Sequence, residues 1–96
     1  MSLEVKSLSD LKEGLLVVKF WAPWCGSCSQ LAPNLEKSAK LSIYELTSCN
    51  VDDNQDISVK FNIRSLPTTV LLKDGVEIDR MVGNQEVAVI KKFLNV

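Results

Sequence analysis

The chain has 96 residues, 46% of them hydrophobic, and a formal net charge of -1, with acidic and basic residues mixed along its length. This length and composition predict one globular domain, residues 1–96, and exclude a disordered chain or a two-domain protein. No basic stripe is present to hold phosphates, and no apolar run approaches the 18 residues of a membrane span. We therefore expect neither nucleic-acid nor membrane partners.

The residue types that are missing restrict the chemistry further. The sequence has no histidine and three cysteines. This excludes a Cys–His pair, a Ser–His–Asp triad and any zinc site that uses imidazole, so thiols, carboxylates, lysines or hydroxyls must do the work. Charged residues are frequent in the first 14 positions, unlike in a signal peptide, and we expect a cytoplasmic protein.

The first part of the chain is predicted to run strand, helix, strand. Residues 3–6, "LEVK", alternate in polarity and indicate a short edge strand. Residues 7–14 predict a short helix that stops at Gly14. Residues 15–22, "LLVVKFWA", form an apolar run interrupted once by a lysine, which is typical of a central strand covered on both faces. Pro23 ends that strand.

The remaining elements complete an α/β pattern. Residues 25–41 have helical periodicity, residues 42–52 predict a second central strand, and residues 54–63 contain one short helix. Residues 68–83 predict a hairpin around Asp74-Gly75, with a type I′ turn, and Asn84 is placed to cap a final helix. The order β-α-β-α-β-α-β-β-α predicts a mixed central sheet of about five strands flanked by four helices.

The segment "WCGSC" places two cysteines where a buried strand gives way to a helix. We considered a metal clip, a structural bridge and a reactive pair. The helix start offers unpaired N–H groups and partial positive charge, which favour a thiolate at Cys25, at the exposed end. Cys28 lies one turn further on and faces the core. A zinc site needs more ligands, and only Cys49 remains, so we expect no metal. Cys49 is predicted to be a buried, unreactive strand residue.

Three segments together resemble the thioredoxin family. They are "VVKFWAPWCGSC" (17–28), "NIRSLPT" (62–68) and "MVGNQE" (81–86), and the likeness runs in order from about residue 3 to residue 95. The resemblance implies a thioredoxin fold. It also implies an enzyme without a cofactor of its own, acting as a monomer, that receives electrons from a reductase and passes them to disulfides of client proteins.

The resemblance also implies roles for individual residues. Cys25 would be the nucleophile and Cys28 the resolving thiol, with Gly26 and Ser27 supporting the site between them. Pro67 would be cis and face the disulfide, and the backbone of Leu66 would pair with an extended client segment. The client groove would be lined by Trp24, Leu66, Pro67 and Gly83. Three of these residues have a simpler interpretation: Trp24 as a core ring, Pro67 as a loop end, and Gly83 as a turn residue.

The sequence departs from the family pattern near the cysteines. Lys19 stands where the family commonly has a buried aspartate, and Ser48 stands where it often has a lysine. Lys19 either extends its ammonium group to water or lies beneath Cys28 and favours its thiolate, which would shift the titration of the thiols. Ser27 replaces a common proline and adds a hydroxyl that can bond a thiolate, whereas Ser29 replaces a common basic residue.

These observations favour a protein-disulfide reductase that cycles Cys25 and Cys28 between dithiol and disulfide. Three alternatives remain open at this point. In the first, the pair belongs to a more oxidising protein that exchanges or isomerises disulfides; in the second, the groove serves a binding module without turnover. A small metal-binding protein is the third, and the ligand count disfavours it.

Overall fold

The computed structural model describes residues 3–96 as an α/β domain built on one five-stranded mixed sheet; residues 1 and 2 of the expected domain lie outside the described part. The strands run in the order β1-β3-β2-β4-β5 across the sheet. The strands are β1 (Leu3–Glu4), β2 (Leu15–Trp21), β3 (Glu45–Asn50), β4 (Thr68–Lys73) and β5 (Val76–Val82), and the α-helices are α1 (Gly26–Lys40), α2 (Gln55–Lys60) and α3 (Val87–Leu94).

Strand β2 lies at the centre of the sheet, as its apolar run predicted. It pairs in parallel with β3 and antiparallel with β4. Both faces of β2 are covered, because Val17, Val18 and Phe20 are all fully buried. The core therefore holds the carboxyl end of β2 in place, and the segment that leads into α1 starts from this end.

The hydrophobic core is divided by the sheet into two layers. On one face, helices α1 and α3 pack against β2, β4 and β5 through a cluster that includes Val17, Leu31, Leu35, Ile90 and Leu94. On the other face, α2 and the segment before β2 pack through a second cluster that includes Leu11, Val18, Phe20, Ile57 and Phe61. Alternate residues of β2 enter opposite layers, as strand geometry requires.

The prediction of four flanking helices was wrong by one. The described residues contain three α-helices, and the predicted helix at 7–14 is a four-residue 3₁₀ helix, Leu8–Leu11. The Asp10 carboxylate accepts the backbone N–H groups of Lys6 and Ser7, at 2.9 and 3.2 Å, which caps a single tight turn. Gly14 then adopts a φ of +84°, so the segment is too short to propagate an α-helix.

The predicted hairpin is confirmed, whereas the predicted cap of the last helix is wrong. Asp74 and Gly75 both have positive φ, +49° and +84°, as a type I′ turn requires. Helix α3 is preceded by Glu86 at its N-cap position rather than by Asn84. The Asn84 side-chain amide instead donates to Gln30 Oε1 at 3.3 Å, which joins the loop before α3 to α1.

Candidate active site

Cys25 and Cys28 form a disulfide at the junction between β2 and α1. Cys25 is the N-cap of α1, with extended backbone, and its Cα lies 5.4 Å from that of Cys28. The chain reaches this position through a tight turn, in which the Cys25 N–H donates to the Ala22 carbonyl at 3.1 Å. The end of the central strand and the first turn of the helix together hold the two sulfurs at bonding distance.

The helix start supplies hydrogen-bond donors to Cys25. The Cys28 backbone N–H donates to Cys25 Sγ at 3.3 Å, and Ser27 Oγ lies 3.5 Å from the same sulfur. The partial positive charge of a helix N-terminus acts at this point as well. When the disulfide is reduced, these groups favour the thiolate of Cys25 over its thiol.

Both cysteines are buried, which corrects the expectation that Cys25 lies at an exposed end. Cys25 is 7% exposed and Cys28 3% exposed. They pack in a small cluster with Ala22, against which Trp21, Val51 and Leu66 are placed. This burial was not predicted from the sequence because covering residues come from distant segments. As predicted, Cys28 is the more buried of the two residues.

The loop that carries Pro67 lies beside the cysteines. The Leu66–Pro67 peptide bond is cis, as the resemblance implied, and Leu66 packs against the cysteine cluster. The Gly83 N–H donates to the Pro67 carbonyl at 2.7 Å, and Gly83 has a φ of +82°. Gly83 is therefore both a turn residue and a neighbour of Pro67.

Trp24 is a surface residue and not a core ring. It is 70% exposed, and its Nε1–H donates to Asp52 Oδ2 at 3.1 Å. With Leu66 it lines a shallow cavity of about 180 Å³ whose wall joins apolar side chains, such as Val51 and Ile63, to polar ones. Two of the four predicted groove residues thus share one cavity, and the other two are joined by the Pro67–Gly83 hydrogen bond.

Lys19 lines a second cavity, of about 200 Å³, together with Cys28. Its side chain is half-buried, and this burial lowers the pKa of its ammonium group, while the Glu36 and Glu4 carboxylates act in the opposite direction. Ser48 also lines the cavity and is the direct cross-strand partner of Lys19. The two positions that depart from the family pattern are therefore neighbours in the sheet.

Cys49 lies apart from this chemistry. It is fully buried in β3, and burial, followed by the carboxylates of Asp56 and Glu4, raises the pKa of its thiol to about 12. A thiol in this state is unreactive, as predicted. Within residues 3–96, no three His, Cys, Asp or Glu side chains are grouped so as to hold a metal ion, and no helix is long and apolar enough to cross a membrane.

Several residues near the cysteines were not singled out from the sequence. Glu4 and Thr69 lie in line with Lys19 across the sheet, Asp52 holds Trp24, and Arg64 lines the cavity of Trp24. None belongs to a local motif, so only the strand register and loop packing reveal them. For Glu4 and Thr69, the only signal in the sequence was the alternation of β1 and β4, which indicates which residues share a face of the sheet.

The geometry defines a class of protein. A disulfide that closes the first turn of a helix, at the end of a buried central strand and beside a cis proline, is the arrangement of a thiol–disulfide oxidoreductase. The chain belongs to the thioredoxin family, since the sequence model of that family, described as thioredoxin, matches residues 4–96.

Relatives and solved structures agree with this assignment. The chain is 40% identical to a thioredoxin of Mycoplasma genitalium, over 86% of this chain and 87% of that protein. It is 35% identical to a thioredoxin of Bacillus subtilis, over 91% and 86%. Among solved structures, the oxidised mitochondrial thioredoxin 3 of Saccharomyces cerevisiae superposes with a TM-score of 0.87 at 27% identity, covering 98% of this chain and 93% of that one.

A further solved structure, a mutant thioredoxin from Halobacterium salinarum, gives a TM-score of 0.89 at 28% identity and covers 98% of this chain and 88% of that one. The thioredoxin fold predicted from the sequence is thus confirmed. So is the leading interpretation of the activity: the chain is a thiol–disulfide oxidoreductase that reduces protein disulfides through its Cys25–Cys28 pair.

Proposed function

We propose that Cys25 is the attacking nucleophile and Cys28 the resolving thiol. In the first step the Cys25 thiolate attacks one sulfur of a client disulfide. A Cys25–client disulfide forms, and the other client sulfur leaves as a thiolate that takes a proton from water. Cys28 then loses its proton and attacks Cys25 Sγ. The Cys25–Cys28 bond forms, the second client sulfur leaves and is protonated, and the client has gained two electrons.

The observation that carries this assignment is the asymmetry of the two sulfurs. Cys25 Sγ accepts the Cys28 N–H and lies beside Ser27 Oγ, whereas within residues 3–96 no donor of this kind is hydrogen-bonded to Cys28 Sγ. Cys25 is also the less buried of the pair. A low-pKa thiolate at the helix start is the better attacker of an external disulfide, and the deeper thiol is placed to attack only the adjacent sulfur.

Gly26 and Ser27 support the site in different ways. Gly26 is exposed, and a Cβ at its position would meet nothing within 4 Å, so the surface next to Cys25 is open at this position. Ser27 offers its hydroxyl to the Cys25 thiolate. Both residues lie in the first turn of α1, where backbone N–H groups are not used inside the helix.

The client segment binds in the groove of Trp24, Leu66, Pro67 and Gly83. The exposed Trp24 ring and the half-buried Leu66, which line one cavity, supply apolar contact to the client. Pro67 faces the disulfide, and the backbone of Leu66 pairs with the client in an extended conformation. Lys19 supports the site from the cavity that it lines together with Cys28.

The electron donor is a reductase of the thioredoxin-reductase type, and the acceptors are client proteins that carry a disulfide. The chain acts in the cytoplasm as a monomer and a single domain, without a cofactor of its own. One related structure, at a TM-score of 0.86 and 26% identity, comes from work on a yeast mitochondrial 1-Cys peroxiredoxin and its resolution through glutathione and thioredoxin systems. A peroxidase disulfide is therefore one class of client to test.

The test is reduction of insulin disulfides with NADPH and a thioredoxin reductase. Wild-type protein and Cys49→Ala should both turn over, since Cys49 is buried away from the pair, while Cys25→Ser and Cys28→Ser should not. Cys28→Ser should in addition accumulate a covalent insulin adduct that a small thiol releases, and Cys25→Ser should not. Equal adducts from both variants would contradict the assignment of attacker and resolver.

The reduction potential of the same protein distinguishes a reductant from a more oxidising exchange protein. We expect the Cys25–Cys28 potential to lie near that of thioredoxin, roughly -270 mV, when equilibrated in defined thiol buffers. A value of about -180 to -120 mV would instead identify an oxidant or isomerase.

A further inference from the structure

A polar row crosses the α1 face of the sheet below the cysteines. The strand registers pair Glu4 with Ser48, Ser48 with Lys19, and Lys19 with Thr69. Directly paired residues project on the same side of a sheet, so these four side chains share one face. The row is unusual because Val17, two residues before Lys19 on the same face of β2, is apolar and fully buried.

The row borders the cavity that Cys28 lines. Glu4, Lys19, Ser48 and Trp21 are in its wall together with Cys28 and the exposed Ser29. Since Glu4 and Ser29 are exposed, the cavity opens to solvent. Two buried polar atoms, Trp21 Nε1 and Thr69 Oγ1, have no hydrogen-bond partner among the described residues. The wall behind Cys28 is therefore mixed: Ala22, Pro23 and Ala32 stand beside the polar side chains, and Lys19 is the cation among its lining residues.

The charged and titratable groups that bear on Lys19 come from two elements, β1 and α1. Strand β1 contributes Glu4, and helix α1 contributes Glu36 and Cys28, while the partners on β3 and β4 are the uncharged hydroxyls of Ser48 and Thr69. The two carboxylates favour the ammonium form of Lys19. A thiolate formed at Cys28 would favour it further.

We propose that the Lys19 ammonium group stabilises the Cys28 thiolate and so speeds the resolution of the mixed disulfide between Cys25 and the client. This rests on the proposed function. Cys28 gives its proton to water through the open cavity, its thiolate attacks Cys25 Sγ, and the client sulfur leaves with the electron pair of the broken bond. Lys19 neither gains nor loses a proton in this step; it is a positioning residue that acts through its charge.

The expected change in the resolution rate follows from the effect of one neighbouring cation on the pKa of Cys28. An opposite charge shifts a pKa by about one unit at the lower end of its usual range, which is roughly tenfold in thiolate at a pH below both values. A more acidic thiol is also a weaker nucleophile, with a Brønsted coefficient of about 0.4–0.5, which takes back roughly threefold. The net gain in the resolution rate at neutral pH is therefore about threefold.

The first measurement is the pKa of Cys28 by NMR of ¹³Cβ-labelled cysteine in a Cys25→Ser background. Lys19→Met, which keeps the length of the side chain and removes its charge, should raise the Cys28 pKa by about one unit. Lys19→Arg should restore the parent value, and Lys60→Met, an exposed lysine on α2, should leave it unchanged. Equal Cys28 pKa values in Lys19→Met and the parent would overturn the inference.

The second measurement is the pH profile of client thiol release in a single turnover with both active-site cysteines present. Lys19→Met should shift this profile upward by about one pH unit and slow resolution about threefold at pH 7. A variant that lowers all rates without a shift would show a merely structural role and overturn the proposal. Insulin reduction by wild-type protein is scored separately: its absence would refute the proposed function, whereas activity with an unchanged profile refutes only the role of Lys19.

Discussion

Cys49 makes the stability of the protein depend on pH in a way that one substitution isolates. Its side chain is fully buried in β3, and burial, together with Asp56 and Glu4, raises the pKa of the thiol from 9.0 to about 12. In the unfolded chain the thiol ionises near its usual value. Between these two values the unfolded state loses a proton that the folded state keeps, so stability falls as pH rises.

The magnitude is set by how far the pH lies above the unfolded pKa. At pH 8 both states hold the proton, and the contribution of Cys49 to the pH dependence is close to zero. At pH 10, one unit above 9.0, ionisation of the unfolded thiol costs about 1.4 kcal/mol of stability. The loss continues until the folded thiol also ionises, near pH 12.

The assay is urea denaturation at pH 8 and pH 10 in a Cys25→Ser, Cys28→Ser background, in which neither active-site position titrates and no disulfide is present for the exposed Cys49 thiolate of the unfolded chain to attack. Cys49→Ala in the same background is the matched control: it removes the thiol and leaves every other titrating group. The parent should lose about 1.4 kcal/mol more than its Cys49→Ala variant between the two pH values. The same loss in both proteins would refute the reasoning. The cost of the smaller side chain does not depend on pH, so it cancels when the change between the two pH values is compared.

Two further predictions concern the hairpin and its ion pair. Gly75→Ala should lower the free energy of unfolding in urea by roughly 1 kcal/mol, because the φ of +84° strains any side chain, whereas Gly26→Ala should not lower it; equal stabilities would contradict this. Arg80→Met should raise the Glu77 pKa measured by NMR, since the Arg80 hydrogen bonds at 2.6 and 2.7 Å lower it. An unchanged pKa would show that the pair is not formed in solution.

The parts of the fold that the sequence predicted well depend on local patterns. The apolar run of β2 and the periodicity of α1 are readable because each element buries a face along its own length. The Asp74-Gly75 turn is readable because few residue pairs tolerate two positive φ angles. The cysteine pair was located for the same reason: the strand, the turn and the helix start are contiguous.

What the sequence missed depends on contacts between distant segments. The burial of Cys25 comes from Val51 and Leu66, which lie more than twenty residues away. Asn84 has the residue type of a helix cap, yet its side chain contacts Gln30 on α1. The 3₁₀ helix at Leu8–Leu11 was mistaken for an α-helix because the same capping residues serve either form of first turn.

The polar row shows that the departures from the family pattern at positions 19 and 48 do more than remove an acid. The two positions are direct partners on adjacent strands, about 4.8 Å apart, so a cation on one strand lies close to where the family often places it on the other. The acid of the row is Glu4, on the far side of Ser48. Replacing Lys19 by aspartate would leave two acids and no cation in the row, because the substitution removes a positive charge and adds a negative one. Removing the charge alone, as in Lys19→Met, is therefore the substitution that isolates what the cation does to Cys28.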